Sequence, residues 1–148
     1  MLQILADALG TRLDEIVFEH AGGVPGGRKV KGVIPGGMSM PILPVSQLDV
    51  PMANEFLRER KTMLGTGGVM VLDDTTCMVR VGCVITYFFR DESCGQCTQC
   101  REGTGWLNKI MQRIERGAGS LADIDILLEP AEGAAEAATF AVEGMVPL

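Results

Sequence analysis

One histidine, one tryptophan and one tyrosine stand in these 148 residues, and the lone histidine closes a class of function. A lone His20 cannot assemble a Ser/His/Asp arrangement, so hydrolytic nucleophile chemistry of that kind has no support. Cations are also short: 13 Lys and Arg face 19 Asp and Glu, for a net charge of -6 and a pI near 4.8. Phosphate-binding surfaces concentrate Lys and Arg, so nucleic acid is not an expected partner. No run approaches the roughly 18 apolar residues of a spanning helix, and Met1 to Asp7 lacks the basic region and cleavage site of a signal peptide. Direct membrane insertion is therefore not expected, and a cytoplasmic location is. The glycine pairs Gly22-Gly23, Gly26-Gly27 and Gly36-Gly37 do not form G-x-G-x-x-G between a strand and a helix, which favours turns over a nucleotide site.

What is present starts with apolar content. At 47% hydrophobic residues and a mean hydropathy of +0.22, the chain can bury a core sufficient for one medium domain or two small ones. Five cysteines, three of them clustered, suit a reducing compartment and metal binding better than a disulfide framework. The cluster lies in Glu92-Ser93-Cys94-Gly95-Gln96-Cys97-Thr98-Gln99-Cys100-Arg101-Glu102-Gly103. Two-residue gaps let a turn aim successive sulfurs at one point, as cuboidal iron–sulfur clusters and zinc knuckles both require. Neither metal is satisfied by three ligands. The ferredoxin run C-x2-C-x2-C-x3-C-P would place its next cysteine where Thr104 stands, and no cysteine follows Cys100. A fourth ligand is left to Cys77, Cys83, an oxygen donor, His20 or another chain.

Composition changes near Asp73. Before it, Gly- and Pro-rich stretches punctuate short apolar runs, with Val30 to Ile34 and Gly68 to Leu72 as strand candidates. Thr11 to His20 reads as a helix with Leu13, Ile16 and Val17 on one face, ended by Gly22-Gly23. After it the period is helical. Asp73-Asp74-Thr75-Thr76 supplies capping side chains for a helix bearing Met78, Val81, Ile85, Phe88 and Phe89. A second helix carries Trp106, Leu107, Ile110, Met111 and Ile114 and ends at Gly117; Ser120 and Asp123 open a third, which Pro130 stops. Ala134 to Val142 reads as a fourth. The expectation is an α+β protein: a small α+β domain over 1–72 and a short helical bundle over 73–148, with the cysteines in one connection.

Three stretches carry a family resemblance: Val33-Ile34-Pro35-Gly36-Gly37, Met63-Leu64-Gly65-Thr66-Gly67-Gly68-Val69, and above all the cysteine run. They resemble the flavoprotein subunit of respiratory complex I and the diaphorase subunits of NAD-reducing hydrogenases and formate dehydrogenases. In that family an FMN- and NADH-binding domain is followed by a β-grasp domain of the soluble-ligand-binding type. A helical bundle with a [4Fe-4S] cluster comes last. The chain resembles the last two parts. The resemblance implies that Cys94, Cys97 and Cys100 are cluster ligands, relaying electrons from FMN to the next iron–sulfur centre, on a [4Fe-4S] or [3Fe-4S] cluster. FMN and NADH would sit on a partner or a missing domain, so residues 1–148 alone are not expected to oxidise NADH. A ferredoxin-like iron–sulfur subunit and a flavin-binding chain are the implied partners, with a peripheral place on the inner face of the cell membrane through a complex. Two departures stand out. The family's fourth ligand lies some forty residues on, where Glu132-Gly133-Ala134-Ala135-Glu136-Ala137-Ala138 has no cysteine, and its common proline at position 99 is Gln99.

Other residues have plainer readings. Cys77 and Cys83 fall on or near an apolar helix face and are expected to pack as small hydrophobes, which makes them poor ligands. His20 closes a helix, where it favours the dipole. Met38, Met40, Met63, Met70 and Met78 are expected to pack rather than bind metal or flavin. The start of a helix after Gly103, together with Arg101, would set positive potential against an anionic cluster. The non-redox alternatives are an assembly module whose cysteines are vestigial and a zinc knuckle completed by another group.

Overall fold

The computed structural model describes residues 10–128. The chain divides into two compact units, Met1–Thr76 and Cys77–Leu148. The first unit mixes short helices with a three-stranded antiparallel sheet, and the second is helical throughout its described part.

Helix α1 (Leu13–Glu15) continues without a break into a π-type turn over Ile16–His20, so the helix expected from Thr11 to His20 forms from Leu13. Its N-cap residue, Arg12, makes no side-chain hydrogen bond to the helix start, where Glu15 N donates to Asp14 Oδ1 at 2.9 Å. Instead Leu13 N donates to Val50 O and Asp14 N to Leu48 O, both at 2.9 Å, which satisfies the donors every helix start leaves open. Leu13 and Val17 face inward, four residues apart.

The sheet order is β2-β1-β3, with β1 at Val30–Ile34, β2 at Leu43–Pro44 and β3 at Met70–Asp73. Val33 pairs with Leu43 on one side and Val71 on the other, and a register shift lies between Val30 and Gly32. The strand expected at Gly68 to Leu72 therefore sits one to two residues later. Helix α2 (Asn54–Glu59) buries Leu57. Leu13, Val17, Val33, Leu43, Leu48, Val50, Met52 and Leu57 form one aliphatic core, backed by Ile16, Val30, Leu64 and Val69.

Two of the glycine-bearing stretches meet here. A Cβ on Gly36 would stand 2.3 Å from Leu64 O, and one on Gly65, where φ is +51°, would stand 2.2 Å from Gly36 O. Thr66 seals the crossing, donating from N (2.9 Å) and Oγ1 (3.2 Å) to Gly36 O. These glycines are required by close backbone approach, in keeping with turns rather than a phosphate cradle.

Asp73 ends β3 by folding back on itself. Its Oδ1 accepts from Thr75 N at 3.1 Å and from the Thr75 and Thr76 hydroxyls at 2.8 Å, while Arg28 Nη1 lies 2.8 Å from Oδ2. The side chains expected to cap the next helix thus make a turn of their own. Cys77 takes the N-cap position without a side-chain hydrogen bond.

In the second unit, α3 (Met78–Asp91) and α4 (Thr104–Glu115) run antiparallel. Arg80 Nη1 reaches Glu115 Oε1 at 2.9 Å near one end, and Asn108 meets Cys83 and Thr86 further along. Helix α5 (Leu121–Leu128) adds Leu127 to Leu107, Ile110 and Met111 in a small core, with Val79, Cys83, Phe89 and Ile114 against it. Ser120 and Asp123 form the expected cap: Ser120 N and Oγ donate to Asp123 Oδ2 at 2.8 and 3.1 Å. Arg113 pairs with the same carboxylate through Nε at 3.1 Å and through its terminal nitrogen. Trp106 and Phe88 depart from expectation. Both lie on the solvent side, Trp106 67% exposed, because the buried α4 face is Leu107, Asn108, Ile110 and Met111. The expected stop at Pro130 and fourth helix at Ala134 to Val142 lie outside the described residues. Among the described residues no helix is long and apolar enough to cross a membrane.

Candidate metal centre

The connection between α3 and α4 carries all three cysteines of the motif. Cys94 and Cys97 are exposed and Cys100 is half-buried. Gly95 makes the turn between the first two, at φ +75°, and a Cβ there would meet only Arg101 Cδ, 4.0 Å away. Ser93 knits the loop from inside: its hydroxyl accepts from Gly95 N at 3.3 Å and donates to Cys100 Sγ at 3.2 Å. A hydroxyl aimed at a ligand sulfur is one of the contacts that tune iron–sulfur centres.

The helix begins earlier than the sequence suggested. Arg101 N donates to Cys97 O at 2.9 Å, and Gln99–Gly103 winds as a π-type turn that runs straight into α4. Thr104 Oγ1, on a buried side chain, donates to Cys100 O at 2.7 Å and holds that turn. Cys97 therefore stands at the helix start and Cys100 within its first turn. Such π segments are frequent at functional positions. Arg101, expected to add positive charge, is engaged: Nη1 donates to Gly95 O at 2.8 Å and Nε to Glu102 Oε1 at 3.1 Å. It clamps the first cysteine turn to the helix, and Glu102 offsets part of its charge.

The connection brings the three cysteines onto one loop, but their sulfurs do not converge. Among the described residues no group of three or more Cys, His, Asp and Glu side chains is arranged to hold a metal ion. By donor chemistry alone the three thiols suit iron–sulfur or zinc, since soft thiolates select both.

The upstream cysteines separate from each other in character. Cys83 packs against the small core as expected, and burial, followed by the Glu115 carboxylate, pushes its thiol pKa up. Cys77 is exposed at the start of α3 rather than on an apolar face, because the buried side of that helix is set by Gly82, Ile85 and Thr86. His20 ends the Ile16–His20 turn in the first unit, 3.7 Å from Glu15 Oε1 and largely exposed, which accords with a surface group at a helix end. The sequence offered no signal for the polar layer between α3 and α4. Asn108 Nδ2 donates to Cys83 O and Thr86 Oγ1, both at 3.1 Å, and its Oδ1 accepts from Gln112 Nε2 at 2.8 Å. Thr86 Oγ1 donates to Gly82 O at 2.7 Å.

Three thiols at C-x2-C-x2-C spacing on a π-wound connection in a helical unit are a donor set shared by iron–sulfur and zinc proteins, and comparison with known families points to the first. Residues 82–142 match the NADH-ubiquinone oxidoreductase-F iron–sulfur binding region, a 4Fe-4S family. The chain is homologous to the F-type subunits of the NADH-quinone oxidoreductases. It is 50% identical over 119 residues to the second such F-type subunit of Rhizobium meliloti, covering 80% of this chain and 28% of that protein. It is 48% identical over 121 residues to the F-type NADH-quinone oxidoreductase subunit of Mycobacterium tuberculosis, covering 82% of this chain and 27% of the other. The chain thus spans less than a third of the length of these curated relatives. The solved structures of an NAD+-reducing [NiFe]-hydrogenase are similar in fold. The H2-reduced state gives a TM-score of 0.72 at 29% identity, and the air-oxidised state 0.76 at 28%; each match covers 94% of this chain and 24% of that one.

Proposed function

We propose that this chain is the iron–sulfur electron-transfer part of an NADH dehydrogenase flavoprotein subunit, with Cys94, Cys97 and Cys100 as the thiolate ligands. The carrying observation is that all three fall on one loop inside the matched iron–sulfur region, between two antiparallel helices. A bound cluster would supply one-electron transfer from reduced FMN towards the next iron–sulfur centre. This chain's own residues hold the loop: Arg101 and Ser93 fix the first turn, and Thr104 anchors the third cysteine's backbone.

The finer architecture belongs to the same reading. Residues 1–72 are a β-grasp domain of the soluble-ligand-binding type, and 73–148 a helical bundle carrying the cluster. FMN and NADH belong to a partner or to a further domain. A flavin-binding chain and a ferredoxin-like iron–sulfur subunit are the partners, and the location is cytoplasmic, peripheral on the inner face of the cell membrane. The test is the absorption spectrum of protein purified without oxygen. Broad visible absorption that bleaches with dithionite is expected, and a colourless zinc-loaded protein would overturn the reading.

One observation favours a second reading. The three sulfurs do not converge among the described residues, as an assembly module with vestigial cysteines would have it. Metal-free protein of undiminished thermal stability would support that alternative.

A further inference from the structure

The solvent side of α4 is basic in a chain whose net charge is -6. Trp106, Lys109 and Arg113 within the helix and Arg116 at its C-cap follow one another at steps of three and four residues, which sets them on one stripe. Trp106 is 67% exposed. Lys109 and Arg116 are exposed and pair with no carboxylate among the described residues, Arg116 reaching only Gln112 Oε1 at 3.5 Å. Arg113 already holds Asp123 and still keeps its side chain 47% exposed. One turn before Trp106, Glu102 is the nearest carboxylate on the stripe, and Arg101 Nε neutralises it at 3.1 Å. An exposed tryptophan beside arginines is the composition of interface centres rather than of a solvated face.

The chain itself holds the complement. Residues 129–148 contain Glu129, Glu132, Glu136 and Glu143 and neither Lys nor Arg, with Phe140, Val142 and Met145 as apolar cover. They follow directly on α5, whose Leu127 shares one core with Leu107 and Ile110. The stretch therefore starts level with the Trp106 end of α4. From Trp106 to Arg116 is roughly 15 Å along the helix, and residues 129–148 span roughly 30 Å even when fully helical. Pro130 and Gly133 supply the break that a reversal after α5 needs.

We propose that residues 129–148 fold back along the solvent face of α4, setting their carboxylates against Lys109 and Arg116 and covering Trp106. The contact stands apart from the electron-transfer reading, since it requires no metal on the cysteine loop. It joins an acidic stretch to a basic face, so it weakens with salt.

The experiment is carbodiimide cross-linking of the dilute full chain, purified without oxygen, with the linked peptides identified by mass spectrometry. Carbodiimide joins an amine to a carboxylate in contact with it, and Lys109 is the one lysine after Lys61. An amide between Lys109 and Glu132 or Glu136 of the same chain is expected at low ionic strength. It should be lost at about 1 M salt, where the screening length has fallen to about 3 Å from about 10 Å at 0.1 M. Lys109 left unlinked, linked only to carboxylates outside 129–148, or linked only to another copy would overturn the proposal. Trp106, the single tryptophan, gives the second readout. Acrylamide, a neutral quencher, should quench its fluorescence more steeply in Glu129→Gln/Glu132→Gln/Glu136→Gln/Glu143→Gln than in the parent at low salt. The difference should vanish at high salt. Removing four exposed charges of the first unit, in Glu19→Gln/Glu55→Gln/Glu59→Gln/Asp74→Asn, should leave the quenching at the parent's level. Equal quenching in the parent and the Glu129/Glu132/Glu136/Glu143 variant at low salt would overturn the proposal.

Discussion

The two units are stabilised in different ways, and the difference explains where an exposed cysteine loop can sit. In the first, eight aliphatic side chains no more than 3% exposed form one core, and the chain crosses itself so tightly that Gly36 and Gly65 admit no side chain. In the second, the aliphatic core is half that size, at 4 to 8% exposure, and fully buried Thr86, Thr104 and Asn108 share the interior between the helices. Aliphatic packing is stabilised by volume and tolerates little local change. A hydrogen-bonded layer fixes register instead, and here it sets how far Cys83 stands from the loop. Close packing is not what positions Cys94, Cys97 and Cys100. Hydrogen bonds from Arg101, Ser93 and Thr104 do that, on a loop whose first two cysteines remain exposed.

Breaking the first unit should have the largest effect. Leu57→Ala empties a site with no exposed surface and is expected to cost about 2–5 kcal/mol, read by urea denaturation. Gly36→Ala forces a methyl onto the Leu64 carbonyl, with backbone on both sides, and should cost about 1–3 kcal/mol or more. A neutral result would contradict the tight crossing. Asn108→Ala sharpens the contrast. It removes a donor to Cys83 O and Thr86 and an acceptor for Gln112, for an expected loss of about 1–3 kcal/mol, with the first unit's hydrogen-exchange protection unchanged. Arg80→Ala breaks an exposed pair with Glu115 and should cost under about 1 kcal/mol.

The smallest effect is a pH dependence. Hydrogen bonds from Thr75 and Thr76, then the Arg28 charge, hold the Asp73 carboxyl pKa below its ordinary value. Its folded pKa lies below the unfolded value of about 3.9. Its contribution is therefore present above that value and lost as pH falls through the folded pKa. The stability difference between the parent and Asp73→Asn should shrink on acidification from pH about 5 to 3. A difference that grew would reverse the sign of the argument.

How far each element could be read from sequence follows from how much local signal it carries. Val30–Ile34 forms as the short apolar run between turns implied, and β1 is the central strand with partners on both sides. Strand β2 escaped notice because it has two residues and ends in Pro44, and proline in a short run argues against a strand. Helix α2 escaped because six residues, of which only Leu57 is buried, show too little of a period. The three-cysteine loop was legible from spacing alone. The start of its helix was not, because Gly103 and Gly105 mask a turn that begins at the cysteines themselves and depends on Thr104 reaching back to Cys100 O. The exposed Trp106 and Phe88 show the limit of apolar counting: the face is decided by the Asn108 layer, whose partners on the opposite helix lie more than twenty residues away in sequence.

The most direct test of the central claim is iron and acid-labile sulfide content of protein purified without oxygen, measured beside the Cys94→Ser/Cys97→Ser/Cys100→Ser triple variant. The parent should carry iron and sulfide together, and the variant should carry neither while keeping the same helix content. Iron-free parent protein, or equal iron in the two, would contradict a cluster on this loop.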